Sequence, residues 1–336
     1  MYERSDVSKR KHSKAGRLAA SIISMLLLAI VMTGCGNGSN IKLSDGKVNV
    51  ITTFYTLYDF ASRIGGDKAN VINLVPAGVE PHDWSPKSRD LKNMANAQLF
   101  VYNGAGFEGW VHDFLDSMKK DSGPRIVVAS DGIELLHGAA HEDDHGGETK
   151  TGGKDEHGHE TDSDVDPHVW VSPKSALTMA ENIKNGLVQA DGANKAYYEA
   201  NYETLRKQLA DLDAKFAQSI SKSPKKEIVV SHQAFGYLAR DYGLTQMPIM
   251  GLSPDAEPTA QDLKRINQFV KEHQVKYIFF EELVSDKMAK TLAKDAGIET
   301  LVLNPLEGLT QEQAKAGDNY VTVMDKNLQN LLKALQ

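Results

Sequence analysis

The sequence has few of the residues that define several common classes of protein. Its 336 residues include one cysteine, Cys35, so the chain can form no internal disulfide. No thiolate cluster is available to a metal ion either, and a metal site would have to use imidazole and carboxylate groups. No GxGxxG follows the first apolar stretch, which argues against a dinucleotide-binding oxidoreductase.

An excess of positive charge is also missing. The chain carries 38 Lys and Arg against 45 Asp and Glu. Loss of residues 1–34 would remove six basic and two acidic residues, which leaves 32 against 43 and a net charge of −11. Neutralisation of phosphates needs a basic surface, so nucleic acid is excluded as an expected partner. The negative balance is compatible with the capture of cations.

The N-terminus has the pattern of a secretory signal. Six basic residues within positions 1–17 precede the apolar stretch LAASIISMLLLAIVM, which is short for a membrane span. The next residues, TGCG, resemble the lipobox of bacterial lipoproteins. We therefore expect a signal peptide at 1–34, a lipidated Cys35, a flexible tether at 35–46 and a protein anchored to the outer face of the cell membrane. The alternative is an uncleaved anchor helix.

From residue 47 onward, short β-rich runs alternate with amphipathic stretches, which predicts α/β architecture with parallel sheets. About 300 residues exceed what one core usually organises, so two lobes are expected. Between them, residues 193–223 contain no Gly or Pro and predict one helix of about 28 residues, roughly 42 Å long. The predicted lobes are 47–192 and 224–336, and SPKSALTMAENIKNGLVQA predicts a helix with Ser172 as N-cap.

The span 137–166 is rich in histidine, glycine and charge, and has almost no large apolar residues. Such a segment cannot offset its ordering entropy by burial, so we predict a mobile loop. Its five histidines would bind a metal ion loosely and raise its concentration near a tighter site: His137, His141, His145, His157 and His159. The alternative is a tolerated insertion without such a role.

Four other polar residues follow predicted strands, where open parallel sheets bind ligands. They are His82, His168, His232 and Glu307. Their wide spacing excludes a finger-type or HExxH site, whose ligands are local. Three imidazoles and one carboxylate suit the tetrahedral shell of zinc, with two ligands from each lobe. Glu281, at another strand end, is the alternative fourth ligand.

Five segments carry further information, namely GVEPHDWSP, DPHVWVSP, VVSHQAFGYLARDYG, GLSPDAEPT and NPLEGL. Together they resemble the zinc-specific substrate-binding lipoproteins of ABC importers, the ZnuA/AdcA type. The resemblance implies two α/β lobes that are joined by a rigid helix and clamp one metal ion in their cleft. It matches His82, His168 and His232 to the family's histidine ligands and Glu307 to its acidic position. Manganese-binding relatives tend to have a carboxylate in place of the third histidine, so His232 favours zinc.

The expected function is that of a monomeric receptor, not an enzyme, which delivers Zn²⁺ to the membrane permease of an ABC importer. Three alternatives remain open. The chain could serve manganese or another divalent metal, act as a surface adhesin or metal reservoir, or be a secreted zinc hydrolase. A closed shell of three histidines and Glu307 disfavours the hydrolase, because it leaves no position for an activated water.

The histidine-rich span generates a prediction that depends only on its composition. Deletion of residues 138–163 should lower the number of zinc ions bound by the mature protein to one and slow zinc uptake when zinc is scarce. Native mass spectrometry and uptake of labelled zinc measure the two effects. A stoichiometry of one in both the intact and the shortened protein would contradict the proposed role of the loop.

Overall fold

The computed structural model describes residues 42–118, 123–137, 165–254 and 258–336. The expected signal peptide, Cys35 and four of the loop histidines lie outside the described residues: His141, His145, His157 and His159. Among the described helices, none combines the length and the apolar character needed to cross a membrane.

The N-terminal lobe is built on a parallel sheet of four strands in the order β2-β1-β3-β4. Its elements are β1 (Val48–Thr52), α1 (Tyr55–Gly65), β2 (Ala69–Asn73), α2 (Ser88–Ala95), β3 (Leu99–Tyr102), α3 (Val111–Ser117), β4 (Arg125–Val128) and α4 (Pro173–Ala190). Side chains alternate between the two faces of each strand. Val50 joins the core beneath α1 and α4, whereas Ile51 joins the core beneath α2 and α3. Helices therefore cover both faces of this sheet.

A short antiparallel ribbon closes the base of the histidine-rich span. β5 (Leu136–His137) pairs with β6 (Val165–Asp166), and His137 lies opposite Val165. The hydroxyl of Tyr237 accepts from the Leu136 amide at 2.9 Å and donates to the Asp166 carbonyl at 2.7 Å. The ends of the predicted loop 137–166 are thus ordered, because the ribbon and Tyr237 satisfy their backbone groups.

One helix links the lobes, as the sequence predicted. α5 (Lys195–Ser221) has 27 residues and packs on α1 and α4 of the N-terminal lobe. It also contacts elements of the C-terminal lobe. Its buried side chains recur every three or four positions along one stripe: Tyr198, Tyr202, Leu205, Leu209, Leu212, Phe216 and Ile220. A continuous apolar stripe of this kind holds the helix against both lobes along its whole length.

The C-terminal lobe repeats the plan with a second parallel sheet, in the order β10-β9-β7-β8. Its elements are β7 (Glu227–Val230), α6 (Gly236–Tyr242), β8 (Thr245–Pro248), α7 (Ala260–Glu272), β9 (Tyr277–Phe280), α8 (Lys287–Ala296), β10 (Glu299–Val302), α9 (Gln311–Ala316) and α10 (Tyr320–Ala334). Val229 faces α7 and α8, and Val230 faces the opposite core.

The inner cores of the two lobes form one continuous cluster of buried side chains, which includes Leu99 of the first sheet, Val230 of the second and Phe216 of α5. The expectation of two α/β lobes joined by a long helix is confirmed. Ser172 is the N-cap residue of α4, as the sequence predicted, but its hydroxyl donates to Asp241 Oδ2 at 2.6 Å and makes no capping hydrogen bond. Tertiary contact with α6 outweighs the local cap at this position.

The close approach of α4 to the first sheet generates a stability prediction. A Cβ on Gly186 would lie 2.4 Å from Val127 Cγ2 and 3.3 Å from Leu99 Cδ1. Val127 is a stiff, buried strand residue that cannot turn away, so Gly186→Ala should lower the free energy of unfolding by about 1–3 kcal/mol despite the better helix propensity of alanine.

The control is Gly192→Ala, because a Cβ there would meet nothing within 4 Å. Its effect should stay within about 0.5 kcal/mol in urea unfolding of the mature protein. Equal stability of the two variants would contradict the close packing at Gly186.

Candidate metal centre

The structure brings together the four side chains that follow strands far apart in the chain. His82 lies in the loop between β2 and α2, and His168 follows β6. His232 comes two residues after β7, and Glu307 follows β10. One donor atom from each of the four lies within 4.8 Å of the other three. The N-terminal lobe provides two of these residues and the C-terminal lobe the other two.

Five of the six spacings between the donor atoms are close to the edges of a tetrahedron around a zinc ion. The Nε2 atom of His168 is 3.3 Å from that of His82 and 3.4 Å from that of His232. Glu307 Oε1 is 3.4 Å, 3.4 Å and 3.6 Å from the Nε2 atoms of His82, His168 and His232. A tetrahedral ion with bonds of about 2.0–2.1 Å to nitrogen needs corners roughly 3.3–3.4 Å apart. The measured spacings therefore fit zinc.

Two carboxylates orient the imidazoles from behind. Asp166 Oδ1 is 2.8 Å from Nδ1 of His168, and Glu281 Oε1 is 2.6 Å from Nδ1 of His232. Because a carboxylate accepts, each Nδ1 carries the proton in the neutral ring, and each Nε2 directs a lone pair at the centre. Glu281 also contacts the hydroxyl of Ser231. It lies on the far side of His232 from Glu307, so Glu281 is placed to support a ligand.

The centre is largely buried, and its charged groups shift one another's pKa. The side chains of His168 and His232 are fully buried, whereas 12% of the His82 side chain is exposed. Burial lowers the pKa of His232, but the negative charge of Glu281 and the contact with Glu307 outweigh it and raise the pKa to about 10. Burial would raise the pKa of Glu307, yet the positive charge of His82 and the other two imidazoles hold it well below its usual range.

Glu307 Oε1 gives the clearest evidence that the four side chains form a cation site. This buried oxygen accepts no hydrogen bond from any residue that the structure describes. A buried carboxylate oxygen without a donor is costly. Once the imidazoles are neutral, as metal binding requires, only their lone pairs face this oxygen, and the four atoms repel one another. A divalent cation at their centre removes both problems, and the donor set of three nitrogens and one oxygen suits zinc.

The exposed side of His82 borders a cavity of about 270 Å³. Phe107, Trp84 and Trp110 contribute to its wall, and the ring of His82 meets Phe107 edge to face at 4.9 Å between centroids. Glu80, two residues before His82, accepts a hydrogen bond from the His82 backbone amide at 3.0 Å. Burial and the nearby charge of Glu307 raise the pKa of Glu80 to about 8. The cavity gives the least buried ligand a route to solvent.

The sequence interpretation missed Asp166, although it stands two residues before His168 in the segment DPHVW. The signal available was a carboxylate next to a candidate ligand, which alone does not show that it faces Nδ1. His137 is exposed in the ribbon and does not belong to the four-residue cluster. Its proposed role in loose zinc binding stays a prediction, together with the role of the four loop histidines outside the described residues.

The chain is similar to known proteins over most of its length. Residues 50–334 match the family model of ZnuA, the periplasmic zinc-uptake complex component A. The high-affinity zinc uptake system protein ZnuA of Bacillus subtilis is 43% identical over 309 residues, which are 91% of this chain and 94% of that protein. The zinc-binding lipoprotein AdcA of Streptococcus pneumoniae is 41% identical over 311 residues. This chain covers 60% of the length of that AdcA.

Solved structures agree with the fold. The zinc-bound ZnuA-like domain of Streptococcus pneumoniae AdcA superimposes with a TM-score of 0.72 at 39% identity, covering 86% of this chain and 99% of that domain. The laminin-binding protein of Streptococcus agalactiae, described as bifunctional with adhesin and metal-transporting activity, gives a TM-score of 0.73 at 29% identity. That comparison covers 86% of this chain and 100% of the laminin-binding protein.

The position of Glu281 behind His232 generates a prediction. Glu281→Gln keeps the shape but replaces a charged acceptor with a neutral amide, so His232 becomes a weaker donor to metal. We expect zinc affinity to fall about 10- to 100-fold. Competition with a zinc-sensitive chelating dye measures it. Glu299→Gln is the control, since it removes the same charge from an exposed position in the same lobe. Unchanged affinity in Glu281→Gln would contradict the supporting role.

Proposed function

Because the chain belongs to the ZnuA family, zinc-uptake complex component A, we propose that it is an extracytoplasmic zinc receptor of an ABC importer. It binds one Zn²⁺ between its two lobes and delivers the ion to a membrane permease. Zinc is the cargo, so no covalent step is required and the protein is a binding protein without catalytic activity. The observation that carries this proposal is the near-tetrahedral spacing of four donor atoms, three of which belong to buried side chains.

The proposed ligands are Nε2 of His82, His168 and His232 and the Oε1 atom of Glu307. Three neutral rings and one carboxylate leave a charge near +1 on a zinc centre. The carboxylates of Asp166 and Glu281 face the two most buried rings and offset that charge through hydrogen bonds. This arrangement supports zinc over manganese, since manganese prefers a shell richer in oxygen.

A receptor fits the centre better than a hydrolase does. A catalytic zinc keeps one position open for water, commonly beside three protein ligands. Here Glu307 stands at the fourth corner, at 3.4–3.6 Å from the three nitrogens, and its side chain is 3% exposed. The position that an activated water would need is taken by this carboxylate.

The cellular setting follows from the N-terminal sequence and from the family. We propose cleavage before Cys35, lipidation of Cys35, and a monomer tethered to the outer face of the membrane beside its permease. The division into 47–192, 193–223 and 224–336 remains our proposal for the lobes and their link. The lipoprotein name of the AdcA relative supports the anchor.

Adhesion or metal storage is a second candidate. The likeness to the laminin-binding protein of Streptococcus agalactiae supports it, since that protein is described as both adhesin and metal transporter. The two functions are compatible with each other, because the metal centre is buried and leaves the outer surface available. A pure reservoir, in contrast, would not require a permease.

Native mass spectrometry with competing Zn²⁺ and Mn²⁺ tests the binding site. We expect the mature protein to retain zinc, and His82→Ala, His168→Ala and His232→Ala each to lose tight binding. Glu307→Ala should be milder because water can replace one oxygen. The control is His273→Ala. The side chain of His273 lies at the C-terminal end of α7 and is 39% exposed. Full retention of zinc in all three histidine variants would overturn the assignment of the ligands.

Growth under zinc limitation tests delivery. Cells without the protein should stop growing when zinc is chelated, and added zinc or the intact protein should restore growth, whereas His168→Ala should not. Normal growth of the deleted strain under these conditions, combined with tight binding in vitro, would favour the reservoir.

A further inference from the structure

The loop that carries Glu307 has an unfavourable backbone conformation at the preceding residue. Leu306 has φ of 61°, in the left-handed region that residues with a branched side chain rarely adopt. Such a conformation persists only where surrounding contacts impose it. Its side chain is fully buried. The direction of the Glu307 carboxylate therefore depends on whatever holds residues 304–307 in place.

The C-terminal lobe holds only the start of this loop. Asn327 of α10 forms a pair of hydrogen bonds with the backbone of Asn304, at 2.9 Å to its amide and 2.7 Å to its carbonyl. The Asn304 side chain in turn accepts from the Leu306 amide at 2.7 Å. These contacts fix Asn304 but leave the carbonyl groups of the next three residues to find donors elsewhere.

The N-terminal lobe supplies those donors. Trp170 Nε1 donates to the Pro305 carbonyl at 2.6 Å, and Thr56 Oγ1 donates to the Leu306 carbonyl at 2.8 Å. The Tyr55 amide approaches the Glu307 carbonyl at 3.4 Å. Trp170 and Thr56 are both fully buried. Each carbonyl from Pro305 to Glu307 thus has a donor from the opposite lobe.

One of these donors, Trp170, also contacts another ligand of the centre. Trp170 lies two residues after His168 in one 3₁₀ turn, Val169–Val171. Its ring packs against the His168 ring at 5.3 Å between centroids, and its carbonyl accepts from the Tyr320 hydroxyl of α10 at 2.7 Å. A single turn of the N-terminal lobe therefore positions its own ligand and hydrogen-bonds the loop of the acidic ligand.

We propose that Thr56 and Trp170 are positioning residues for Glu307. Their hydrogen bonds to the carbonyls of Pro305 and Leu306 impose the left-handed backbone at Leu306 and aim the carboxylate at the three imidazoles. The fourth ligand is thus set by the lobe that does not carry it. This inference rests on the proposed zinc function and adds the groups that place one of its ligands.

Thr56→Val tests the proposal, because it removes one hydroxyl and keeps the shape of the side chain. We expect zinc affinity to fall about five- to tenfold, as the loss of one buried hydrogen bond implies. Thr52→Val is the matched control. Thr52 is equally buried in the same lobe, but its hydroxyl bonds the Ile72 carbonyl at 3.3 Å within that lobe. It should leave zinc affinity unchanged.

A double-mutant cycle separates positioning from general destabilisation. In the Glu307→Ala background Thr56→Val should have no further effect on zinc affinity, because the carboxylate that it positions is gone. Trp170→Phe, which keeps an aromatic ring but removes the donor, should behave in the same way. The visible absorption of bound Co²⁺ gives a second readout, and its intensity should fall in both variants as the tetrahedral shell loses its fourth corner.

Four outcomes would distinguish the possible failures. Additive losses of affinity from Thr56→Val and Glu307→Ala would overturn the positioning role, as would an equal effect of Thr52→Val. Unchanged zinc affinity in Glu307→Ala would also overturn it while leaving the histidine site intact. Unchanged affinity in the three histidine variants would instead overturn the proposed function itself.

Discussion

The central constraint on this structure is the repulsion among four lone-pair donors that arises in a largely buried cleft once the three imidazoles are neutral, as metal binding requires. Three imidazole nitrogens and one carboxylate oxygen lie 3.3–3.6 Å apart over the measured pairs, without a hydrogen bond to Glu307 Oε1 from the described residues. In water these groups would separate. The fold must therefore hold them in place, and a cation that joins them is strongly favoured because it converts the repulsion into coordination.

Several levels of the structure contribute to that restraint. Parallel sheets bring strand ends to one edge in each lobe, which places His232 and Glu307 near one another. The shared core and α5 then hold the two edges face to face. Asp166 and Glu281 fix the ring orientation of two histidines. Packing, hydrogen bonds and opposite charges together offset the free-energy cost of bringing the four donors together. The centre is therefore assembled before a metal ion binds.

Features set by neighbouring residues could be predicted from the sequence, whereas features set by contacts between distant residues could not. Alternating β and α patterns reflect local burial and predicted both lobes and the linking helix, which ends within two residues of the expected limits. Ser172 shows the limit of local rules, because its hydroxyl bonds Asp241 of another helix. Glu281 shows a second limit of local rules. Its place at a strand end is consistent with a ligand, and only the orientation of His232 shows that it lies behind the ring.

The sequence by itself determined the alternation of strands and helices, the supply of imidazole and carboxylate groups and the absence of thiolates from the folded part. These properties depend on residue type and on neighbours along the chain. Tertiary structure decided which atoms face each other. His82, His168, His232 and Glu307 converge because two sheets meet across one core, and Leu306 adopts its rare conformation because Trp170 and Thr56 approach from the opposite lobe. Contacts between residues so distant in sequence depend on packing, which no local pattern records.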